Sequence, residues 1–161
     1  MDPVVLPRER LDALQDHLML FFTGLSRFAS EIAKSKIDNL EQRHAELVRL
    51  REMTDEGIAL LQSDESLDAF GELLDHGWQY KRRLSDKVST AEVDRIYDEA
   101  RSAGAIGGKL LGAGGGGFML FFVRPGDQAS VRERLQRLVH VPFRFEQSGS
   151  RVVLYQPNGL H

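Results

Sequence analysis

An α+β two-layer sandwich, with about four mostly antiparallel strands packed against helices, is the fold class that this sequence predicts. Three observations predict it. Two apolar runs dense in Leu and Phe, "HLMLFFT" (His17 to Thr23) and "FMLFFV" (Phe118 to Val123), have the length and composition of buried strands. The stretch between them carries helical periodicity for most of its length. Beyond Gln128 an amphipathic helix gives way to two alternating segments, "VPFRFEQ" and "RVVLYQP", joined at "SGS" as a hairpin. The order is strand, several helices, strand, helix, strand, strand.

The elements follow in sequence. "DPVVLP", bounded by Pro3 and Pro7, is an extended entry, and "RERLDALQDH" is a short helix. After the first strand the chain turns at Gly24 and enters a helix in "GLSRFASEIAKSK", with Thr23 or Ser26 as N-cap. In the long block from Asn39 to Gln62, Leu40, Leu47, Leu50, Ile58 and Leu61 share one narrow arc at about 100° per residue. A second helix, Ser66 to about Leu84, aligns Leu67, Phe70, Leu74 and Trp78. A third opens at "STAE", where Ser89 and Glu92 have capping-box spacing. Its Val93, Ile96, Tyr97 and Ala100 repeat at helical spacing, and it stops near Gly104. The turn "RPGD" then leads to a helix from Gln128 to Val139 with Val131, Leu135 and Leu138 inward.

Composition bounds the function. The 161 residues suffice for one domain with its own core. Cysteine is absent, which excludes a disulfide framework, a zinc-thiolate site and a cysteine nucleophile, and suits a reducing compartment. The net charge is −3, with 21 basic and 24 acidic residues well mixed, so no broad basic field exists for nucleic acid. The start "MDPVVLPRER" lacks the apolar core of a signal peptide, and the longest apolar runs are far too short to cross a bilayer. A soluble, cytoplasmic protein with neither nucleic-acid nor membrane partners is the expectation.

The unusual feature is "GGKLLGAGGGG", Gly107 to Gly117, seven of whose eleven residues are glycine. Glycine loses the most conformational entropy on folding, so such a run needs a reason. Two phosphate motifs fit it by accident. Gly112, Gly114 and Gly117 satisfy G-x-G-x-x-G, but a Rossmann loop follows a strand and opens a helix, whereas here a helix precedes and a strand follows. "GAIGGKL" is one residue short of a Walker A loop, and Leu110 stands where a Mg²⁺-binding hydroxyl is needed. Two readings remain. The glycines permit close packing or a bulged strand entry; or bare N–H groups form an anion-binding concavity, or admit another phosphate-bearing loop, with Lys109 as a nearby cation. Lys109 equally suits a surface position at a helix end.

"KLLGAGGGGF" resembles the third signature motif of the GHMP kinases (galactokinase, homoserine kinase, mevalonate kinase, phosphomevalonate kinase), whose form is close to K-L-x-G-A-G-G-G-G. "GAIGGKLLGAGGGGFMLFFV", "LMLFFTGLSRFASEI" and "HGWQYKRRLS" are similar to the branch holding D-glycero-D-manno-heptose 7-phosphate kinases and L-fucokinases. The likeness runs from about Pro3 to Gln156. It implies the ferredoxin-like carboxy-terminal domain of a two-domain enzyme. The family's P-x-G-L-G-S-S-A loop, which wraps the ATP phosphates, has no counterpart here. The resemblance therefore implies that the amino-terminal half, with the acidic residue proposed as catalytic base, is absent from this chain.

The resemblance also implies roles. Gly112, Ala113, Gly114, Gly115, Gly116 and Gly117, with Lys109 beside them, are expected to lie against the phosphate loop of the missing half. ATP and Mg²⁺ are expected to bind mainly through that half, and no catalytic residue is assigned here. Arg27 lies near a helix N-terminus, where a cation is unfavourable unless an anion faces it. A sugar phosphate would fit its guanidinium, with Thr23 and Ser26 sharing the contact; a surface ion pair and simple capping are the alternatives. Trp78 reads as core, Lys81 as a lysine whose stem covers apolar surface, with reach into the cleft between domains as the alternative, and His44, His76 and His140 lack metal-ligand spacing. The implied reaction is phosphorylation of a heptose 7-phosphate at its anomeric hydroxyl. L-Fucose or a galactokinase-like substrate is the alternative within enzymes, and a non-catalytic module of the same fold the alternative outside them. An uncovered domain interface is expected to bind the cognate half or self-associate as a homo-oligomer.

Overall fold

A computed structural model of the chain describes residues 4–25 and 29–146. The described residues form α1 (Arg8–Asp16), β1 (Leu18–Phe22), α2 (Ala29–Asp38), α3 (His44–Gln62), α4 (Asp68–Arg83), α5 (Ala91–Ser102), β2 (Ala105–Leu110), β3 (Phe118–Val123), α6 (Gln128–Arg134) and β4 (Val139–His140). Short 3-10 turns occupy Glu41–Arg43 and Pro125–Asp127. The sheet is antiparallel in the order β2-β3-β1-β4. The α+β expectation and its four strands are met, although the strands are not all the expected ones.

Period-two alternation divides the apolar strands between two cores. Met19, Phe21, Met119, Phe121 and Val123 point to one face, where Trp78 of α4, Val93, Ile96 and Ala100 of α5, and Val131 of α6 close over them. Phe122 points to the other face and meets Leu14 of α1 and Leu67 at the start of α4, with Leu18, Phe70 and Leu74 around them. Trp78 is a core residue, as expected, at 1% exposure. Among the described residues, the second face is covered at one end only. Its other end carries the register neighbours Phe22, Phe118 and Val139, which are 39%, 40% and 61% exposed. The Phe22 and Phe118 rings lie 5.1 Å apart.

The main correction is β2. "AIGGKL" is expected to belong to the glycine loop, and it is a strand paired with β3 from Ala105 to Leu110. Two glycines normally weaken a strand. Here they are required by how closely the strand lies against α4. A Cβ on Gly107 would overlap the carbonyl oxygen of Gly71 and stand 2.9 Å from the Asp75 nitrogen. Asp75 in turn accepts a hydrogen bond from the Tyr97 hydroxyl at 2.5 Å, and burial followed by that bond pushes the Tyr97 phenol well above its usual range. Arg101 donates to the carbonyls of Ala105 and Ile106, where the β2–β3 register shifts. Helices α4 and α5 thus hold the start of β2 through side chains.

Smaller corrections have local causes. The cap of α5 is Thr90, whose hydroxyl accepts from Val93 N–H at 3.2 Å; Ser89 donates to Asp94 instead, and Glu92 pairs with Arg95. Leu40 lies outside α3 and is exposed, while Met53 and Gly57 are the buried residues of that helix. The expected strand "VPFRFEQ" is not found: residues 141–146 are irregular, and the last strand, β4, is the two residues Val139–His140 just before it. Val141 N–H still reaches Leu20 O at 2.8 Å, but Pro142 has no donor, and the Gln15 side chain takes Phe143 O and Phe145 N–H. Helix α6 ends at Arg134, yet Val131 and Leu135 are buried as expected. The "SGS" turn and "RVVLYQP" lie outside the described residues, as does Ser26, proposed as a cap of α2.

Candidate phosphate-loop site

The glycine loop proper spans Leu111 to Gly117 and connects β2 to β3 across the hairpin. Leu111 N–H closes its base on Phe118 O at 2.8 Å. Gly112, Gly114, Gly115 and Gly117 have positive φ. Close approach adds a second demand. A Cβ on Gly114 would stand 2.8 Å from Val88 O, and one on Gly116 would stand 2.6 Å from Leu25 O. Real Cβ atoms essentially never come that near to backbone. The loop therefore sits on two other segments of its own domain, 23–25 after β1 and 85–88 between α4 and α5.

Hydrogen bonds seal both seats. Gly115 N–H donates to Val88 O at 2.9 Å, and Gly117 N–H donates to Leu25 O at 3.0 Å. The 85–88 turn is itself braced, since Ser85 is buried, its hydroxyl meets that of Ser35 at 2.7 Å and it accepts Lys87 N–H at 3.1 Å. The N–H groups of Gly115 and Gly117 are thus committed inside the domain. The packing reading holds for Gly114 and Gly116, and an anion cradle built from every N–H of the run is excluded. Open space, among the described residues, lies beside Gly112 and Gly117.

Thr23, expected to touch substrate, is 8% exposed and has its hydroxyl engaged. The hydroxyl donates to Gly117 O at 2.9 Å and accepts from Gly117 N–H at 3.1 Å and Leu25 N–H at 3.2 Å. One donor and two lone pairs are all a hydroxyl has. As placed, Thr23 clamps the end of β1 to the end of the loop. Thr23→Val keeps the shape and removes the clamp, so we expect a loss of about 1–3 kcal/mol in urea unfolding, with Thr23→Ser near wild type. Equal stability of the Val and Ser variants would contradict this. Ser26 and Arg27 lie outside the described residues.

Lys109 is in β2, not at a helix end. It lines a mostly apolar cleft of about 300 Å³ between α3 and α4, together with Met53, Leu74, Gly77, Trp78 and Lys81. Lys81 was expected to cover apolar surface or to reach a cleft between domains; its ammonium reaches the loop base, donating to Leu110 O at 3.1 Å and Gly112 O at 3.0 Å. The available sequence signal was weak: Lys81 sits one helical turn after Trp78 on the inward arc. Val88, which seats Gly114 and Gly115, carried no signal beyond being apolar. Among the described residues no three His, Asp or Glu side chains come together as metal ligands, and no helix is long and apolar enough to cross a membrane.

Comparison with known proteins places this arrangement. The chain is 32% identical over 133 residues to D-glycero-alpha-D-manno-heptose 7-phosphate kinase of Campylobacter jejuni, a match that covers 77% of this chain and 37% of that protein. It is 28% identical over 139 residues to the bifunctional fucokinase/GDP-fucose pyrophosphorylase of Arabidopsis thaliana, covering 83% and 13%. Among solved structures, L. major mevalonate kinase in complex with R-mevalonate superposes with a TM-score of 0.65 at 20% identity, covering 76% of this chain and 40% of that one. The chain thus spans less than half of each of these proteins. Residues 58–141, from α3 through the glycine loop to β4, match the family model described as GHMP kinases C terminal. The hairpin and its glycine loop lie within the matched residues, and this chain belongs to the GHMP kinases through their carboxy-terminal domain.

Proposed function

We propose that this domain is the carboxy-terminal half of a cytoplasmic, ATP-dependent sugar kinase, and that Gly112–Gly117 completes the wall around the transferring phosphoryl group. The observation that carries the reading is the loop itself: a backbone turn pinned on both sides beside an apolar sheet end where Phe22, Phe118 and Val139 are exposed. Phosphoryl transfer depends on positioning and charge stabilisation more than on covalent help from the protein, so a pre-set backbone wall suits it. In the proposed reaction a sugar hydroxyl oxygen bonds to the γ-phosphorus, the bond to the β–γ bridging oxygen breaks, and ADP leaves. The hydroxyl proton passes to a base in the amino-terminal half. The donor set for Mg²⁺ is assigned to that half as well, because the described residues offer none. Phe22, Phe118 and Val139 flank the loop and are proposed to meet that half.

The substrate we assign is a heptose 7-phosphate, phosphorylated at its anomeric hydroxyl; its 7-phosphate is the anion for Arg27, with Ser26 beside it. The likeness to the Campylobacter kinase over 77% of the chain supports this. An L-fucose substrate is the second reading, favoured by the fucokinase likeness. Incubating the full-length gene product and this chain alone with ATP, Mg²⁺ and a panel of sugars and sugar phosphates, and following ADP, separates them. We expect turnover in the ordinary enzyme range, about 1–10³ s⁻¹, with the heptose 7-phosphate and the whole enzyme only. Turnover by the isolated chain, or no sugar-dependent ADP from the whole enzyme, would refute the proposal.

A further inference from the structure

We infer that Lys81 is a positioning residue for phosphoryl transfer, acting through the loop rather than on the substrate; the inference rests on the kinase reading above. Its ammonium, in the last turn of α4, donates to Leu110 O and Gly112 O, on either side of the junction between β2 and the loop. Peptide planarity turns this into a directional constraint. Within one trans peptide unit the C=O and the following N–H point in opposite directions. With Leu110 C=O turned to Lys81, Leu111 N–H is turned the other way, and it does donate to Phe118 O of β3 at 2.8 Å. The same logic applies one step later. Gly112 C=O is turned to Lys81, so the Ala113 N–H is aimed away from α4.

That second peptide is the one most in need of a restraint. Gly112 has φ +74 with nothing within 4 Å of where its Cβ would be, so sterics do not choose its orientation. A glycine there can rotate its peptide at small cost. The charge-assisted bond from the Lys81 ammonium to Gly112 O chooses for it, while the second bond, to Leu110 O, fixes the ammonium at the loop base. The bond to Leu110 O is part-buried beside Leu74, Gly77 and Trp78, and the bond to Gly112 O is exposed. The other end of the loop has Thr23 and the seats on Val88 and Leu25; the entry from β2 has Lys81.

Lys81→Met keeps most of the stem and removes the ammonium, while Lys81→Arg keeps the charge. Two measurements are needed. Amide hydrogen exchange on the 161-residue chain should quicken about tenfold or more at 111–117 in the Met variant, with β3 and α5 unchanged, and the Arg variant should recover part of the protection. In the full-length enzyme the Met variant should lose about 10- to 100-fold in kcat at nearly constant KM for the sugar. Loop exchange and kcat both at wild-type values would overturn the inference and leave the kinase reading intact. So would a uniform rise in exchange across β3, α5 and the loop, which marks Lys81 as general packing. If the wild-type enzyme transfers no phosphoryl group, the kinase reading falls, and with it the catalytic half of this inference.

Discussion

Gly107→Ala is expected to remove a large share of the stability of this domain. A methyl group at Gly107 overlaps the Gly71 carbonyl and crowds the Asp75 nitrogen, and both partners are backbone of α4. A flexible side chain can swing aside; a helix must move as a body. Moving α4 outward uncovers Trp78, loosens the Asp75–Tyr97 bond and withdraws Lys81 from the loop. Overpacking in a tight core costs about 1–3 kcal/mol when side chains yield, and we expect the upper end or beyond here. Against a typical total of about 5–15 kcal/mol that is a large share. A domain of this size should melt about 10 °C lower. Gly71→Ala is the comparison: its methyl would meet chiefly the Phe122 and Ile106 side chains rather than backbone, so the loss should be smaller. A Gly107→Ala midpoint within about 2 °C of wild type would show that α4 does not lie where described.

Gly115→Val should do the opposite, leaving the fold and removing the activity. Gly115 has φ +74 and donates its N–H to Val88 O. A β-branched residue at positive φ carries about 1–3 kcal/mol of strain, which a folded domain can absorb. The loop of the amino-terminal half that we propose faces it would not absorb displacement so easily, because about 1 Å of misplacement can cost on the order of a hundredfold in rate. In the full-length enzyme we expect kcat to fall by about that factor while the domain stays folded at assay temperature. Thermal midpoint and kcat should be read on the same preparation. If activity falls only in proportion to the folded fraction, the loop is packing and nothing more. Gly114→Val is a poorer probe, since its side chain would first strike Val88 within the domain.

The helices and the two apolar strands were legible because each announces itself locally. Trp78, Val93, Ile96, Tyr97 and Ala100 recur at helical spacing and are buried as that spacing requires. Strand β2 was not legible. Its strand character is imposed by β3 and by α4, and Gly107 and Gly108 carry no side chain to record the pairing. The α5 cap moved by one residue because Asp94 drew the Ser89 hydroxyl away. The loop was legible as a special backbone segment, but its seats were not. Val88 and Leu25 are distant in sequence, and the bonds they receive are made by carbonyls, which every residue has. Thr23 and Lys81 are the same case: the carbonyls of Gly117, Leu110 and Gly112 that their hydroxyl and ammonium reach are main-chain atoms, which mark no complementary residue type elsewhere in the sequence.

The strand order has a consequence for the order in which the chain can fold. Strand β1 is central, yet its partners β3 and β4 come from the far end, with Leu18 opposite Phe122 and Phe22 opposite Val139. Synthesis at about 5–20 residues per second therefore leaves "LMLFF" without a mate for roughly 5–20 s after it emerges. Helices α3 to α5 can form in that interval, since their contacts are local, but the sheet must wait for closure of a loop of about a hundred residues, with its entropic cost. The glycine loop is completed in the same event, because its seat on Leu25 comes from the segment that follows β1. Nascent chains halted before β3 would thus expose an unpaired apolar strand, the kind of surface that chaperones bind.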